Sequence, residues 1–442
     1  MYGPNAVFTS LNGLLDAMQE LGATQFLAKR LSPNDNSKNQ VYLGGGFGAL
    51  NIIPHKDIET DYTEKAGSVR RRDKASVELY WIDSQGINRA PNAQLILYPK
   101  YPEVRMSGFL KGATHAPNDL MTSRDHGRVL FFGVKPDGAV YAYAAHAESA
   151  VVKAFNAAGE FSEEGVFLNF TRLIITDGRS PKAILLNRLL QINQKGWISG
   201  QRMFSDGSIR PYAASNGGGY TLEAELGISP NGRSEPDFMG WEVKQYAVNN
   251  FTRMRPKTPV TLMTPEPKFG IYTNSFTNFM DEYGYPDTQG RPDRRNFGGI
   301  YRQGGAAHDR TTLSLIVEGY DGASGKILDM GGYVALLDPL QNIAAGWRFT
   351  DLLSHWNRKH AQAAYIPSIA QETPRQYSYG TEIELGIGTD FFKFLALVHR
   401  GEIFLDPGVK IESGKPKKRN QFRVKHPDLY QLYDQFETVS LI

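Results

Sequence analysis

The sequence predicts a two-domain protein. A β-rich domain of barrel or pseudobarrel type covers residues 1–165, a connecting helix and linker 166–215, and an α/β domain 216–442. Three observations predict it. At 442 residues the chain is far longer than one small core serves, so two or three domains are expected. Short strand-like runs broken by turn residues fill most of the first 165 residues. Beyond residue 216, helical and strand-like spacings alternate, which is α/β texture.

The elements follow in order. Leu11, Leu14, Leu15, Met18 and Leu21 have helical spacing, stopped by Gly22. Strand-like stretches come next at Thr24–Leu27, Val41–Leu43, Ser76–Ile82, Ala93–Tyr98, Arg128–Val134 and Val140–Ala144. Asp83-Ser84-Gln85-Gly86 and Pro136-Asp137-Gly138 are turn signals between them, the second a hairpin signal. A second helix is predicted over Ser149–Ala158, closed by Gly159. Many short strands with two helices make the pattern of a small barrel. Lys182–Gln194 reads as an amphipathic helix through Ala183, Leu185, Leu186, Leu189 and Leu190. Gly196–Gly219, rich in Gly, Ser, Asn and Pro, reads as a loop or hinge. After it the spacing predicts a helix over Leu222–Leu226 and strands near Phe238–Tyr246, Val260–Met263 and Leu313–Val317. Further helices are predicted over Thr350–His360, Phe391–His399 and Leu429–Phe436. There is no internal repeat, coiled coil or low-complexity tract.

Composition narrows the chemistry. Net charge is only +3, so any nucleic-acid surface must come from uneven charge placement. The absence of cysteine excludes disulfides, zinc-thiolate sites and thiol nucleophiles, and fits a reducing cytosol. Met1–Ser10 lacks the basic-then-apolar pattern of a signal peptide. No apolar run approaches the roughly 20 residues of a membrane helix. A soluble, cytoplasmic protein with no membrane partner is the expectation.

The informative stretch is Gly219-Tyr-Thr-Leu-Glu223, followed by Ser234-Glu-Pro-Asp237-Phe-Met-Gly-Trp-Glu242-Val-Lys244. Glu242 and Lys244 are two apart in a strand-like run, so both side chains leave one face. Asp237 follows a proline and precedes a glycine, where a turn can swing its carboxylate towards that face. Two carboxylates and an ammonium at a strand end suit hydrolysis of a phosphodiester with a divalent metal. Carboxylates hold a hard cation through oxygen, leaving other positions for water and phosphate. The metal lowers the pKa of a bound water, and a lysine can orient that water and offset developing charge. Glu223 could add a carboxylate from the preceding helix. Asp, Glu and Lys this close together also occur by chance as a solvated strand face. The apolar neighbours Phe238, Met239, Trp241 and Val243 count against that, but the residues alone leave both readings open.

These residues carry a family resemblance. Gly219-Tyr-Thr-Leu-Glu223-Ala-Glu-Leu-Gly-Ile, the spacer with Asn231-Gly232, and Glu-Pro-Asp237 with Gly-Trp-Glu242-Val-Lys244 resemble the catalytic region of MvaI/BcnI-type restriction endonucleases. Those enzymes share the active-site plan of the mismatch-repair nickase MutH, within the PD-(D/E)xK nucleases. The resemblance implies Asp237 and Glu242 as metal ligands, Lys244 as the catalytic lysine and Glu223 as the helix glutamate, with Glu225 its rival. It implies a Mg²⁺ cofactor, double-stranded DNA as substrate, and 5′-phosphate and 3′-hydroxyl products.

The resemblance continues in Phe404-Leu-Asp406-Pro-Gly-Val-Lys410 and Arg419-Asn-Gln421-Phe-Arg423, similar to base-reading segments of the family. Arginine can bind guanine with two hydrogen bonds, and a carboxylate can accept from a cytosine amine. The bland alternative is a solvated basic loop that touches only phosphates.

The first domain has its own likeness. Ala28-Lys29-Arg30-Leu31-Ser32-Pro33-Asn34-Asp35, with Asn39-Gln40-Val41-Tyr-Leu43, resembles the opening of the EcoRII N-terminal recognition domain, a DNA-binding pseudobarrel. Its first DNA-gripping arm would be Arg30–Gln40 and its second Tyr98–Ser107, with Lys100, Glu103 and Arg105. Arg70-Arg71-Arg72 reads as an exposed charge run.

Other signals carry less. His355 and His360 are five apart and leave different helix faces, unlike a His-Glu-x-x-His metal pair. Trp356 and His360 are expected to pack or to touch DNA. Gly44–Gly48 and Gly217–Gly219 lack the Lys-Ser/Thr of a phosphate loop and read as turns. The expected function is therefore a type II restriction endonuclease acting on a CCWGG- or CCSGG-like site. It would work as a monomer beside a cognate DNA methyltransferase. The alternatives are a partner-dependent MutH-like repair nickase and a DNA-binding protein without cleavage.

Overall fold

The computed structural model describes residues 7–33, 40–65, 68–98, 103–173, 181–214, 216–228, 237–252, 254, 256–329, 331–357 and 362–442. The chain divides into two compact units, Met1–Leu185 and Leu186–Ile442.

The first unit is built on two sheets. Helix Leu11–Glu20 starts where the Ser10 hydroxyl accepts from the Gly13 N–H at 3.0 Å. It buries Leu11, Leu14, Leu15 and Met18, the predicted stripe. Helix Ala150–Ala157, capped by Ser149, packs beside it. Both cover a seven-stranded sheet whose order is Ser162–Glu164, Phe167–Asn169, Gln25–Arg30, Val129–Val134, Val140–Ala145, Leu79–Asp83 and Gly86–Ala90. Every residue of the central pair Val129–Val134 and Val140–Ala145 is buried, so both faces of the sheet are covered there. Phe131, Phe155 and Phe170 meet edge to face in this core.

The second sheet has five strands, ordered Val41–Gly45, Glu103–Ser107, Gln94–Tyr98, Ser68–Ser76 and Glu59–Lys65. The single strand expected over Ser76–Ile82 is two: the chain leaves one sheet at Ser76 and enters the other at Leu79. The unit is β-rich, and neither sheet closes on itself by hydrogen bonds among the described residues.

The second unit holds the segments that carry the chemistry. Strand Gln362–Glu372 is its hub. It pairs antiparallel with Arg375–Tyr379 and Glu382–Ile387, and parallel with Glu242–Ala247. A separate sheet runs Val260–Met263, Asn420–Val424, Ile403–Glu412, Arg294–Gly298 and Tyr285–Pro286. Helices Phe349–Asn357 and Phe391–His399 pack on this unit's core, where Trp347, Phe422, Phe394 and Trp356 form a chain of edge-to-face and tilted ring contacts. Trp356 thus packs in the interior. His360 lies outside the described residues, and no helix among them is long and apolar enough to cross a membrane.

Three sequence expectations are corrected here. The loop expected over Gly196–Gly219 contains strand Ile198–Ser199, the hairpin Gln201–Met203 with Ile209–Pro211, and the start of a helix. That helix, Gly217–Leu226, begins on the glycines read as a turn. Two of them sit where a side chain has no room: a Cβ on Gly217 would lie 2.7 Å from the Tyr377 hydroxyl and one on Gly218 3.0 Å from Gln245. The helix expected over Leu429–Phe436 is a 3₁₀ turn, His426–Leu432, followed by strand Gln435–Ser440. Pairing of Phe436 opposite Gly386 at the edge of the hub sheet overrides the helical spacing.

Candidate active site

Four of the candidate residues come together at the strand Glu242–Ala247. Asp237 is delivered by a tight turn. Phe238 and Trp241 exchange backbone hydrogen bonds of 2.9 and 2.8 Å across Met239 and Gly240. Both central residues have positive φ, 47° and 88°, the signature of a type I′ turn. The strand expected from Phe238 therefore begins only at Glu242. The reversal returns Asp237 alongside it, where Oδ2 accepts from the Val243 N–H at 3.0 Å.

Glu242 is 3% exposed. Its Oε1 accepts from Lys244 Nζ at 2.7 Å, while Oε2 is buried without a hydrogen-bond partner. A buried carboxylate oxygen left in that state costs more than about 1–3 kcal/mol, and a hard divalent cation is a ligand that would satisfy it. Among the described residues no three His, Asp or Glu side chains form a metal cage. Two carboxylates with open positions are what magnesium takes, since it keeps waters and binds phosphate. The residues fit such an ion.

Burial works to lower the pKa of Lys244. The Glu242 carboxylate, then Asp237 and Glu223, more than offset it and hold the ammonium above its ordinary value. All three predicted carboxylates thus act on one lysine. Tyr365 stands opposite Lys244 in the parallel register, and its hydroxyl lies 2.7 Å from that of Tyr433. Next along, Glu384 is 2.7 Å from His426 Nε2. No local motif marks either: Tyr365 is set by strand pairing, and Tyr433 follows the 3₁₀ turn His426–Leu432 just before strand Gln435–Ser440.

Glu223 rides on the glycine-opened helix Gly217–Leu226. The Tyr379 hydroxyl donates to the Gly218 carbonyl at 2.7 Å, and Gln245, clamped to Ser368 at 2.7 Å, packs against Gly218. The rival Glu225 is committed elsewhere, to Lys195 at 2.5 Å and Gln201 at 2.7 Å.

The predicted base-reading residues share one face of a sheet. Asp406 lies opposite Gln421, and Asn296 opposite Lys410. Arg423 donates to Asp406 at 2.6 Å and to the Pro259 carbonyl at 2.6 Å. Gln421 donates to Thr261 at 3.2 Å, Lys410 donates to Glu412, and Arg419 is exposed. Sequence reasoning missed Arg294 and Asn296, which join this face from a strand more than a hundred residues upstream. The run Arg291-Pro-Asp-Arg-Arg295 was the available signal.

In the first unit, Arg105 is 2.8 Å from Glu103, 3.5 Å from Gln40 and stacked 5.4 Å over Tyr98. Arg30 donates to Asn156 at 2.9 Å. Asn34, Asn39 and Lys100 lie outside the described residues. Arg128, buried and missed by sequence, donates to the carbonyls of Ser32, Leu120 and Asp125.

The model of the MvaI/BcnI restriction endonuclease family matches residues 186–433. A solved complex of restriction endonuclease MvaI with cognate DNA substrate is similar at 17% identity and a TM-score of 0.45, over 59% of this chain and 97% of that one. Restriction endonuclease MvaI in the absence of DNA is similar at 14% identity and 0.33, over 59% and 98%. No curated protein matches. The matched span includes Glu223, Asp237, Glu242 and Lys244, and leaves residues 1–185 outside.

Proposed function

The chain belongs to the MvaI/BcnI restriction endonuclease family, and on that premise we propose that it is a Mg²⁺-dependent type II enzyme that hydrolyses duplex DNA at a short C/G-rich site. The observation that carries the reading is the buried Glu242–Lys244 pair, with one carboxylate oxygen unsatisfied and Asp237 turned back beside it. In this reading Asp237 and Glu242 hold the metal. The ion would supply charge stabilisation at the phosphate and a bound water of lowered pKa.

The chain's own residues do the rest. Lys244, kept protonated by three carboxylates, donates hydrogen bonds to the attacking water or to a phosphate oxygen. Glu223 fixes the lysine from the helix side. Asp406, Arg419, Gln421 and Arg423 read base edges, and Lys410 contacts the DNA beside them. Water attack at phosphorus leaves a 5′-phosphate and a 3′-hydroxyl. The target is of the CCWGG or CCSGG kind, the enzyme acts as a monomer, and a cognate methyltransferase protects the host site.

The first unit is proposed as a DNA-binding pseudobarrel. Support comes from its arm residues: Glu103 and Arg105 leave one face of a strand, with Gln40 and Tyr98 against the guanidinium. A Glu and an Arg so placed can contact adjacent cytosine and guanine edges.

Digestion of an unmethylated plasmid with and without Mg²⁺, beside the Glu242→Ala variant, tests the reading. Discrete fragments that need both Mg²⁺ and Glu242 are expected. Binding without cleavage by the wild-type chain would sink it and leave a partner-dependent nickase or a binding protein.

A further inference from the structure

A second cluster of charge lies on the sheet that carries Lys410, a different sheet from that of the Glu242–Lys244 pair. We propose that Arg291, Arg294 and Lys410 form a binding site for one DNA phosphate, in which the Glu412 carboxylate stands in for the phosphate until duplex displaces it. The inference rests on the proposed action on DNA.

The geometry is that of an anion cradle already holding an anion. Strand pairing sets Arg294 opposite Glu412 and Asn296 opposite Lys410, so these four side chains leave one face. Lys410 donates to one Glu412 oxygen. Arg291 donates to the other at 3.2 Å, and Arg294 Nη1 lies 3.8 Å from that same oxygen. Three cations converge on one carboxylate, where an exposed ion pair needs only one.

The cradle is held from behind. Arg294 Nε donates to Asn296 at 3.0 Å and lies 3.5 Å from Asp287, and Asn296 donates to Asp287 at 2.9 Å. Asp287 accepts the backbone N–H of Gln289 at 3.0 Å and its side chain is buried, so it is a fixed part of the frame. Ser413 and Gly414, with φ of 48° and 71°, form the hairpin turn directly after Glu412, and Ser413 is tied to Asp293 at 2.5 Å.

Glu412 differs from Asp287. Its side chain is 33% exposed at the strand end, and among the described residues the side chains that hold it are the three cations. Its hydrogen bond from Lys410, helped by Arg294 and Arg291, keeps the carboxyl below its usual range, so it is anionic at neutral pH. On the neighbouring strand, the exposed Lys415 and Lys417 stand opposite Glu412 and Lys410. The face therefore keeps a positive excess over Glu412, Asp287 and Asp293. A phosphate brings more oxygens and more charge than one carboxylate, and it comes on a polymer whose binding releases counterions. Exchange is favoured at low salt.

The test uses the full chain and a fluorescein-labelled duplex of random sequence, in EDTA so that nothing is cut. Anisotropy gives Kd across a potassium chloride series. Glu412→Gln keeps the shape and removes the competing charge. It is expected to tighten binding about 3- to 10-fold at low salt without flattening the salt dependence. Arg294→Ala is expected to weaken binding and reduce the slope of log Kd against log salt by about 0.9, one phosphate contact. Arg291→Ala, at a side chain 52% exposed, cannot disturb the core and should shift the slope in the same direction. Glu412→Gln binding no tighter than wild type, with both arginine variants keeping the wild-type slope, would overturn the cradle while leaving the DNA-cleaving reading intact. A folded wild-type chain that binds no duplex overturns both.

Discussion

At the scale of the residue, the site turns on a charge that needs its partner. Glu242 and Lys244 are both largely out of water, 2.7 Å apart, on one strand face. Removing one member of such a pair strands the other, which costs about 3–5 kcal/mol in buried settings. Lys244→Met is therefore expected to abolish cleavage and lower the melting temperature. Because the stranded carboxylates then have only metal to neutralise them, Mg²⁺ should raise the melting temperature of Lys244→Met by more than that of the wild-type chain. Calorimetry with and without Mg²⁺ checks this; an equal Mg²⁺ response in both would remove Glu242 from the metal site. The identities of these residues were legible in the sequence. The orphaned Glu242 oxygen and the Tyr365–Tyr433 hydroxyl contact were not, since both depend on segments brought together from far along the chain.

At the scale of the element, the helix Gly217–Leu226 shows how composition misleads. Three glycines in a row weaken a helix by roughly 1 kcal/mol each relative to alanine, so the sequence reads as a turn. Here two of them admit Tyr377 and Gln245, which hold the helix against its neighbours, and the third faces open space. Gly219→Ala should accordingly stabilise the protein by about 0.5–1 kcal/mol with activity kept. Gly217→Ala should do the reverse, because its methyl would meet the Tyr377 hydroxyl. Lifting that end of the helix would also shift Glu223 from Lys244. Paired melting curves and cleavage rates decide it: if both substitutions stabilise alike, close packing is not why the glycines are there.

At the scale of the whole molecule, the family match and the division of the chain fall at the same place. Residues 186–433 match the family, and the second compact unit begins at Leu186. Each unit has its own buried core, Phe131, Phe155 and Phe170 in the first, Trp347, Trp356 and Phe394 in the second. A chain starting at Pro181, which keeps helix Pro181–Gln194 whole, is expected to fold and to cut at the same sites with Mg²⁺. It should bind DNA more weakly and with a shallower salt dependence. A folded but inactive fragment would show instead that the first unit is needed for cleavage itself.

The sequence by itself determined the residue types and the short-range order of the site. Asp237, Glu242 and Lys244 lie close enough along the chain that strand periodicity and one glycine turn bring them together. It also determined the helix stripe at Leu11–Met18, where apolar spacing alone marks the buried face. Only the tertiary structure decided the partners. Parallel pairing with Gln362–Glu372 set Tyr365 opposite Lys244, and pairing of Arg294–Gly298 with Ile403–Glu412 gathered three cations around Glu412. The difference is physical: local conformation follows from side-chain periodicity and turn chemistry, while strand partners are chosen by burial and register across distances that no short window of sequence records.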